Sequence, residues 1–101
     1  MLVSMLEILE KAKEGGYGVL APNVFNEDSV RVCIEAAVEL DSPLIIDVLP
    51  DNHKDIVSFG KLICSMANEV RIPIALNLDH CFSVRLRAPY MGSTEDRKSV
   101  V

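Results

Sequence analysis

The sequence predicts an α/β protein: a TIM-type barrel in incomplete, N-terminal form, with about three βα units. Three observations predict it. Apolar runs of strand length begin at Tyr17, Leu44 and Ile74. Stretches with apolar residues at helical spacing lie between them, joined by short connections, an order that gives a parallel sheet with right-handed crossovers. The third run, Ile74-Ala75-Leu76-Asn77-Leu78, ends in Asp79-His80. An acid and an imidazole delivered from the carboxyl end of a buried strand is how α/β barrels place catalytic and metal-binding groups. Three parallel strands alone would expose two sheet edges, so the chain is expected to be one portion of a larger barrel.

Each element has a local cause. Ser4 and Glu7 form an S-x-x-E capping box ahead of a helix whose stripe is Met5, Leu6, Ile8, Leu9 and Ala12. Gly15-Gly16 stops that helix. Tyr17-Gly18-Val19-Leu20-Ala21 is short and β-leaning, the first strand, ended by Pro22-Asn23. Asn26 caps the second helix, with Glu27 and Asp28 favourable in its first turn. Val30, Cys33, Ile34, Ala37 and Val38 give its buried face, and Asp41-Ser42-Pro43 breaks the pattern. Leu44 to Leu49 is a second strand, almost continuously apolar, as strands covered on both faces are. Ile56, Phe59, Ile63, Met66, Ala67 and Val70 mark a third helix, closed by Ile72-Pro73. After Cys81 the rhythm fails. Residues 82–101 hold four basic and two acidic side chains, a local +2 that leaves −7 for the rest, and Pro89 and Gly92-Ser93 interrupt any helix. The chain therefore divides into a barrel part, 1–81, and a divergent or truncated tail, 82–101.

Composition removes several classes of function. A net charge of −5 over 101 residues offers no basic face for nucleic acid. The apolar runs are too short to span a membrane, and the acidic first helix is no signal peptide. Cys33, Cys64 and Cys81 are odd in number and widely spaced, which suits a reducing cytoplasm better than disulfides or a zinc ribbon, and Cys33 and Cys64 fall on apolar helix faces as core residues. Gly15, Gly16 and Gly18 precede a strand and lack the G-x-G-x-x-G spacing of a phosphate loop.

The candidate site residues are few. Asp79 can be a general acid/base and His80 a metal ligand through an imidazole nitrogen; equally, Asp79 can cap a turn and His80 sit in a loop. His53 follows the second strand at the same predicted end, among polar neighbours that suggest a solvated loop. Asn23, past the first strand, is either a turn residue or an amide that holds a substrate hydroxyl or phosphate. Asp47 interrupts an apolar strand, so it must face a barrel mouth or find a partner.

Tyr17-Gly18-Val19-Leu20-Ala21-Pro22-Asn23, the helix from Asp28 to Leu40, Ser42-Pro43-Leu44-Ile45-Ile46 and Ile72-Pro73-Ile74-Ala75-Leu76-Asn77-Leu78-Asp79-His80 together resemble the start of the class II, zinc-dependent ketose-bisphosphate aldolases. That family includes the fructose- and tagatose-bisphosphate aldolases. The similarity covers the first 81 residues, and its most specific part is the strand leading into Asp-His. The resemblance implies a (β/α)8 barrel, commonly dimeric or tetrameric, that is a cytoplasmic enzyme of glycolysis or related sugar metabolism. It cleaves a ketose 1,6-bisphosphate to dihydroxyacetone phosphate and an aldehyde phosphate. By the same resemblance Asp79 matches the acid/base serving the C4 oxygen, His80 the first Zn2+ ligand, and Asn23 an asparagine near the substrate. The family usually has a histidine where this chain has Asn77, and often a phosphate-contacting serine where it has Leu49. The family's next strand, S-V-M-x-D, is hinted at only by Ser99-Val100-Val101. The other zinc ligands and the phosphate loops are expected beyond residue 101, so this piece alone is expected to be inactive. The alternatives are a non-catalytic sugar-phosphate-binding or assembly relative and, more distantly, an open-sheet receiver-type domain. The last normally needs acids after its first strand, where this chain has Ala21-Pro22-Asn23.

Overall fold

A computed structural model describes residues 1–50 and 53–78. The order of elements is α1 (Met5–Gly15), α2 (Glu27–Glu39), β1 (Leu44–Val48), α3 (Ile56–Asn68) and β2 (Ile74–Leu78). The two strands pair in parallel, Leu44 opposite Ile74 through Val48 opposite Leu78. The α/β class and the parallel pairing read from the sequence are therefore present. The tail, 82–101, lies outside the described residues.

The first predicted strand needs correction. Tyr17–Ala21 is not a regular strand; the pairing is displaced towards the carboxyl side and takes in Pro22 and Asn23. Leu20 and Pro22 accept from the N–H groups of Ile45 and Asp47 at 3.1 and 2.9 Å, and Val24 donates to the Asp47 carbonyl at 3.0 Å. The parallel repeat then calls for a donor from residue 22 towards β1, and proline has none. The ladder is thus interrupted at Pro22, and only the isolated bridge between Asn23 and Asp47 remains as formal pairing. We call residues 20–24 the edge segment. On the other side of the sheet Leu2 bridges to Ile74, with bonds of 2.8 Å in both directions between the N-terminal stretch and Ile74.

Helix ends follow local chemistry. Ser4 accepts from the Glu7 N–H, one half of the expected capping box. The full reciprocal box belongs to α2: the Asn26 side chain accepts from the Ser29 N–H, and the Ser29 hydroxyl oxygen accepts from the Asn26 N–H. Gly16 ends α1 at φ 69°, a left-handed conformation in which only glycine avoids a steric penalty. Asp41 takes the same conformation after α2, at φ 50°. Asp55 caps α3, accepting from the Ser58 N–H and hydroxyl at 3.1 and 2.8 Å. At the other end of α3 the Met1 amino group donates to the carbonyls of Ala67, Val70 and Ile72, a positive charge at the helix's negative pole. Burial pulls the pKa of that amine below its ordinary value.

The sheet has two different faces. Val24, Leu44, Ile46, Val48, Ile74, Leu76 and Leu78 point to one side, where Val30, Ile34 and Ala37 of α2 and Ile56, Ile63 and Ala67 of α3 cover them. The expected Cys33 and Cys64 contacts are present, both half-buried against this core. Val38 departs from the predicted α2 stripe and is 46% exposed. Ile45 and Ala75 point to the other side and, among the described residues, meet Ile8 of α1, with Val3, Met5 and Val19 around it. Leu9, predicted to share that stripe, is exposed; Ile8 and Ala12 are its buried members. α1 therefore covers the amino-terminal half of this second face and leaves the carboxyl-terminal half to other residues.

Candidate functional site

Those residues are polar. Each strand buries four of its five positions, and the half-buried one is the fourth in both: Asp47 in β1 and Asn77 in β2. They are register partners. The Asn77 amide donates from Nδ2 to Asp47 Oδ1 at 2.9 Å. Since a carboxylate only accepts, this bond orients the amide and turns Oδ1 the other way. Asn77 Oδ1 is itself buried and has no hydrogen-bond partner among the described residues. Asn23 is the bridge partner of Asp47 on its other flank. Parallel partners share a face, and Val24 lies in the helix-side core, so Asn23 belongs to the face of Asp47 and Asn77. Asn23, Asp47 and Asn77 thus form one row across three adjacent segments, at the carboxyl ends, on the face not covered by α2 and α3.

Such a row is a set of acceptors and amide donors suited to hydroxyl or phosphate oxygens, placed where open α/β sheets and barrels bind ligands. Asn23 is exposed and accessible in it. Asp79 and His80 lie outside the described residues, as does Cys81. The sequence marks Asp47 as a carboxylate that needs a partner, and the partner is Asn77. That pairing was readable in principle, because both residues are fourth in strands of equal length, but an asparagine in a strand does not announce its donor's direction.

The loop at His53 is exposed at Lys54 and Asp55, as expected, while the histidine itself is half-buried. Its ring stacks on Phe59 with centroids 4.4 Å apart and planes 23° from parallel, and Nε2 is buried without a partner among the described residues. It packs on α3 and is not part of the polar row. Among the described residues no group of three His, Cys, Asp or Glu side chains could hold a metal ion. No helix among the described residues is long and apolar enough to cross a membrane.

Comparison with known proteins gives the family. The family model described as "Fructose-bisphosphate aldolase class-II" matches residues 3–94. A fructose-bisphosphate aldolase from Thermus caldophilus is 38% identical over 85 residues, which cover 79% of this chain and 27% of that protein. The chain thus spans about a quarter of the length of this curated relative.

Proposed function

Because the chain belongs to the class-II fructose-bisphosphate aldolase family, we propose that it contributes the first part of a (β/α)8 barrel that cleaves a ketose 1,6-bisphosphate, fructose or tagatose, to dihydroxyacetone phosphate and an aldehyde phosphate. The observation that carries this reading is the polar row Asn23–Asp47–Asn77 at the carboxyl ends of parallel segments. It is aimed away from the helix-covered core, and Asp79 follows the end of β2 by one residue.

Asp79 takes the proton from the substrate's C4 hydroxyl as the C3–C4 bond breaks. The electron pair of that bond stays on C3 and is delocalised into the neighbouring carbonyl, and the C4 oxygen leaves as an aldehyde. In the direction of synthesis Asp79 returns the proton. Asn23 holds the substrate at the mouth through its amide. Asp47 keeps Asn77 in one orientation, so that a buried acceptor faces the ligand side. His80 would be one ligand of a Zn2+ ion, which when bound would supply Lewis acidity at the ketone oxygen. Assembly as a homo-oligomer, a cytoplasmic place and a role in glycolysis belong to the same proposal.

The test is aldol cleavage by the assembled enzyme. Asp79→Ala lowers kcat by roughly 10²–10⁴-fold, the usual contribution of a positioned acid/base. His80→Ala loses bound zinc together with cleavage, and Asn23→Ala acts mainly on KM. Full activity in Asp79→Ala would remove the proton-transfer assignment. Substrate binding without any cleavage by the unaltered protein would favour a non-catalytic relative.

A further inference from the structure

A small pocket opens at the amino-terminal end of the sheet, the end opposite the polar row. Both strands are entered through a proline, Pro43 before β1 and Pro73 before β2. The strands pair from their first residues, and the Leu44 N–H donates to the Pro73 carbonyl at 3.1 Å, so the two prolines are neighbours. α1 lies over this end and buries Ile8 there. Between them is a pocket of about 110 Å3, with Pro43, Pro73, Ile8 and Tyr17 as its apolar walls and Glu7 and Lys11 as its charged ones.

The aromatic wall is built into the end of α1. The Tyr17 N–H donates to the Ala12 carbonyl at 3.1 Å. The Tyr17 ring lies so close to Gly15 that a Cβ there would come 2.6 Å from Cε2 and 2.8 Å from Cδ2. Gly15 is the last residue of the helix and its φ is not positive. What this glycine provides is room for the ring. The charged wall is unusual in a different way. Glu7 and Lys11 are one turn apart with the acid first, the arrangement that favours an ion pair on a helix. At the same spacing on α2, Glu27 and Arg31 pair at 3.3 Å. Glu7 and Lys11 are both exposed, and among the described residues they form no such pair. One carboxylate and one ammonium standing apart over a single pocket cancel in net charge, so a simple anion or cation gains little there. A molecule that carries both signs meets both.

We propose that this pocket binds a free α-amino acid with a branched aliphatic side chain. Its ammonium donates to the Glu7 carboxylate, Lys11 donates to its carboxylate, and its side chain lies against Ile8, the Tyr17 ring and the two prolines. Apolar walls with a few converging polar groups are the usual make-up of small-molecule sites. The volume is small, so the side chain enters while the head group stays at the rim beside α1. Such a ligand touches α1 and both strand entrances together, so it stabilises the folded chain by mass action. Its occupancy does not depend on aldol cleavage at the other end of the sheet, and either can fail without the other.

The experiment titrates L-leucine into the chain and follows backbone and side-chain resonances by NMR, with the decarboxylated amine and the deaminated acid of leucine as separate probes. The expected result is a saturable set of shifts collected at Ile8, Lys11, Tyr17, Pro43 and Pro73, with Kd on the order of 1 mM for so small a ligand. The thermal midpoint rises with leucine concentration. The amine and the acid each bind about three- to fivefold more weakly, the worth of one exposed charge pair. Glu7→Gln and Lys11→Gln each weaken leucine binding by the same factor. Gly15→Ala, which displaces the Tyr17 ring, weakens it at least as much, with the circular dichroism of the chain unchanged. No saturable shift, shifts scattered over the surface, an amine or acid that binds as well as leucine, or an affinity unmoved by either charge substitution would each overturn the proposal.

Discussion

Asp47 and Asn77 show how a polar pair is tolerated in strands that are otherwise apolar. A carboxylate beside Ile46 and Val48 is costly without a donor, and the cross-strand amide at 2.9 Å provides one. The structure adds to this bond a backbone donor, Val24 N–H, on the Asp47 carbonyl, so the residue is tied to both neighbours. Losing one partner of such a pair is worse than losing both, because the remaining group keeps its desolvation cost. Asn77→Leu should therefore destabilise the fold by about 1–3 kcal/mol, and the double variant Asp47→Val/Asn77→Leu should recover most of that loss. Urea denaturation of the four proteins of this cycle measures it. Additive losses in the double variant would show that the two side chains do not depend on each other. Cys64 illustrates the opposite case at this scale: burial raises its thiol pKa, consistent with a packing residue and not a nucleophile.

At the scale of elements, Asp55 does for α3 what Asn26 does for α2, and it titrates. The Ser58 N–H, then the Ser58 hydroxyl, and to a smaller extent Lys61, hold its carboxyl below the ordinary 3.8 despite slight desolvation. A carboxyl depressed in the folded state stabilises the fold above its unfolded value and loses that contribution as pH falls through the lower, folded one. Asp55→Ala should thus lower the urea midpoint at pH 7, and the gap to the parent should narrow once pH drops below about 4. A gap of the same size at pH 2 would mean the cap acts without its charge. Elements of this kind were readable from sequence because their causes are local. The periodicity of α2 and α3, the stop at Gly16 and the run from Ile74 to Leu78 are each set by a few neighbouring residues. The first strand was displaced because its extent depends on which backbone groups meet β1, and the sequence around Pro22 reads as a turn until that neighbour is known. The half-burial of His53 was not readable for a similar reason: its neighbours Lys54 and Asp55 are exposed, while Phe59, six residues on, supplies the ring it stacks on. The polar row needed register across three segments, which no local pattern contains.

The whole molecule rests on a small core whose helix side is much larger than its other side. Ile46, Ile63, Ile74, Val24, Val30 and Val48 are the largest fully buried side chains among the described residues, and all belong to the layer between the sheet and α2 and α3. Among the described residues, only Ile8, Ile45 and Ala75 form the buried cluster on the opposite face. Domains usually keep about 5–15 kcal/mol of net stability, and short chains sit towards the low end. Truncating one fully buried isoleucine costs about 2–5 kcal/mol, since the cavity left behind does not close completely. Ile46→Ala removes bulk from the middle of the central strand, where α2, α3 and β2 all depend on it. It should therefore abolish the cooperative thermal transition seen by circular dichroism. Val38→Ala, on the exposed side of α2 at 46% exposure, should shift stability by no more than about 0.5 kcal/mol. A transition in Ile46→Ala as sharp and as high as the parent's would show that the helix-side layer does not hold the sheet together, and the row of polar groups on the other face would then have no rigid support.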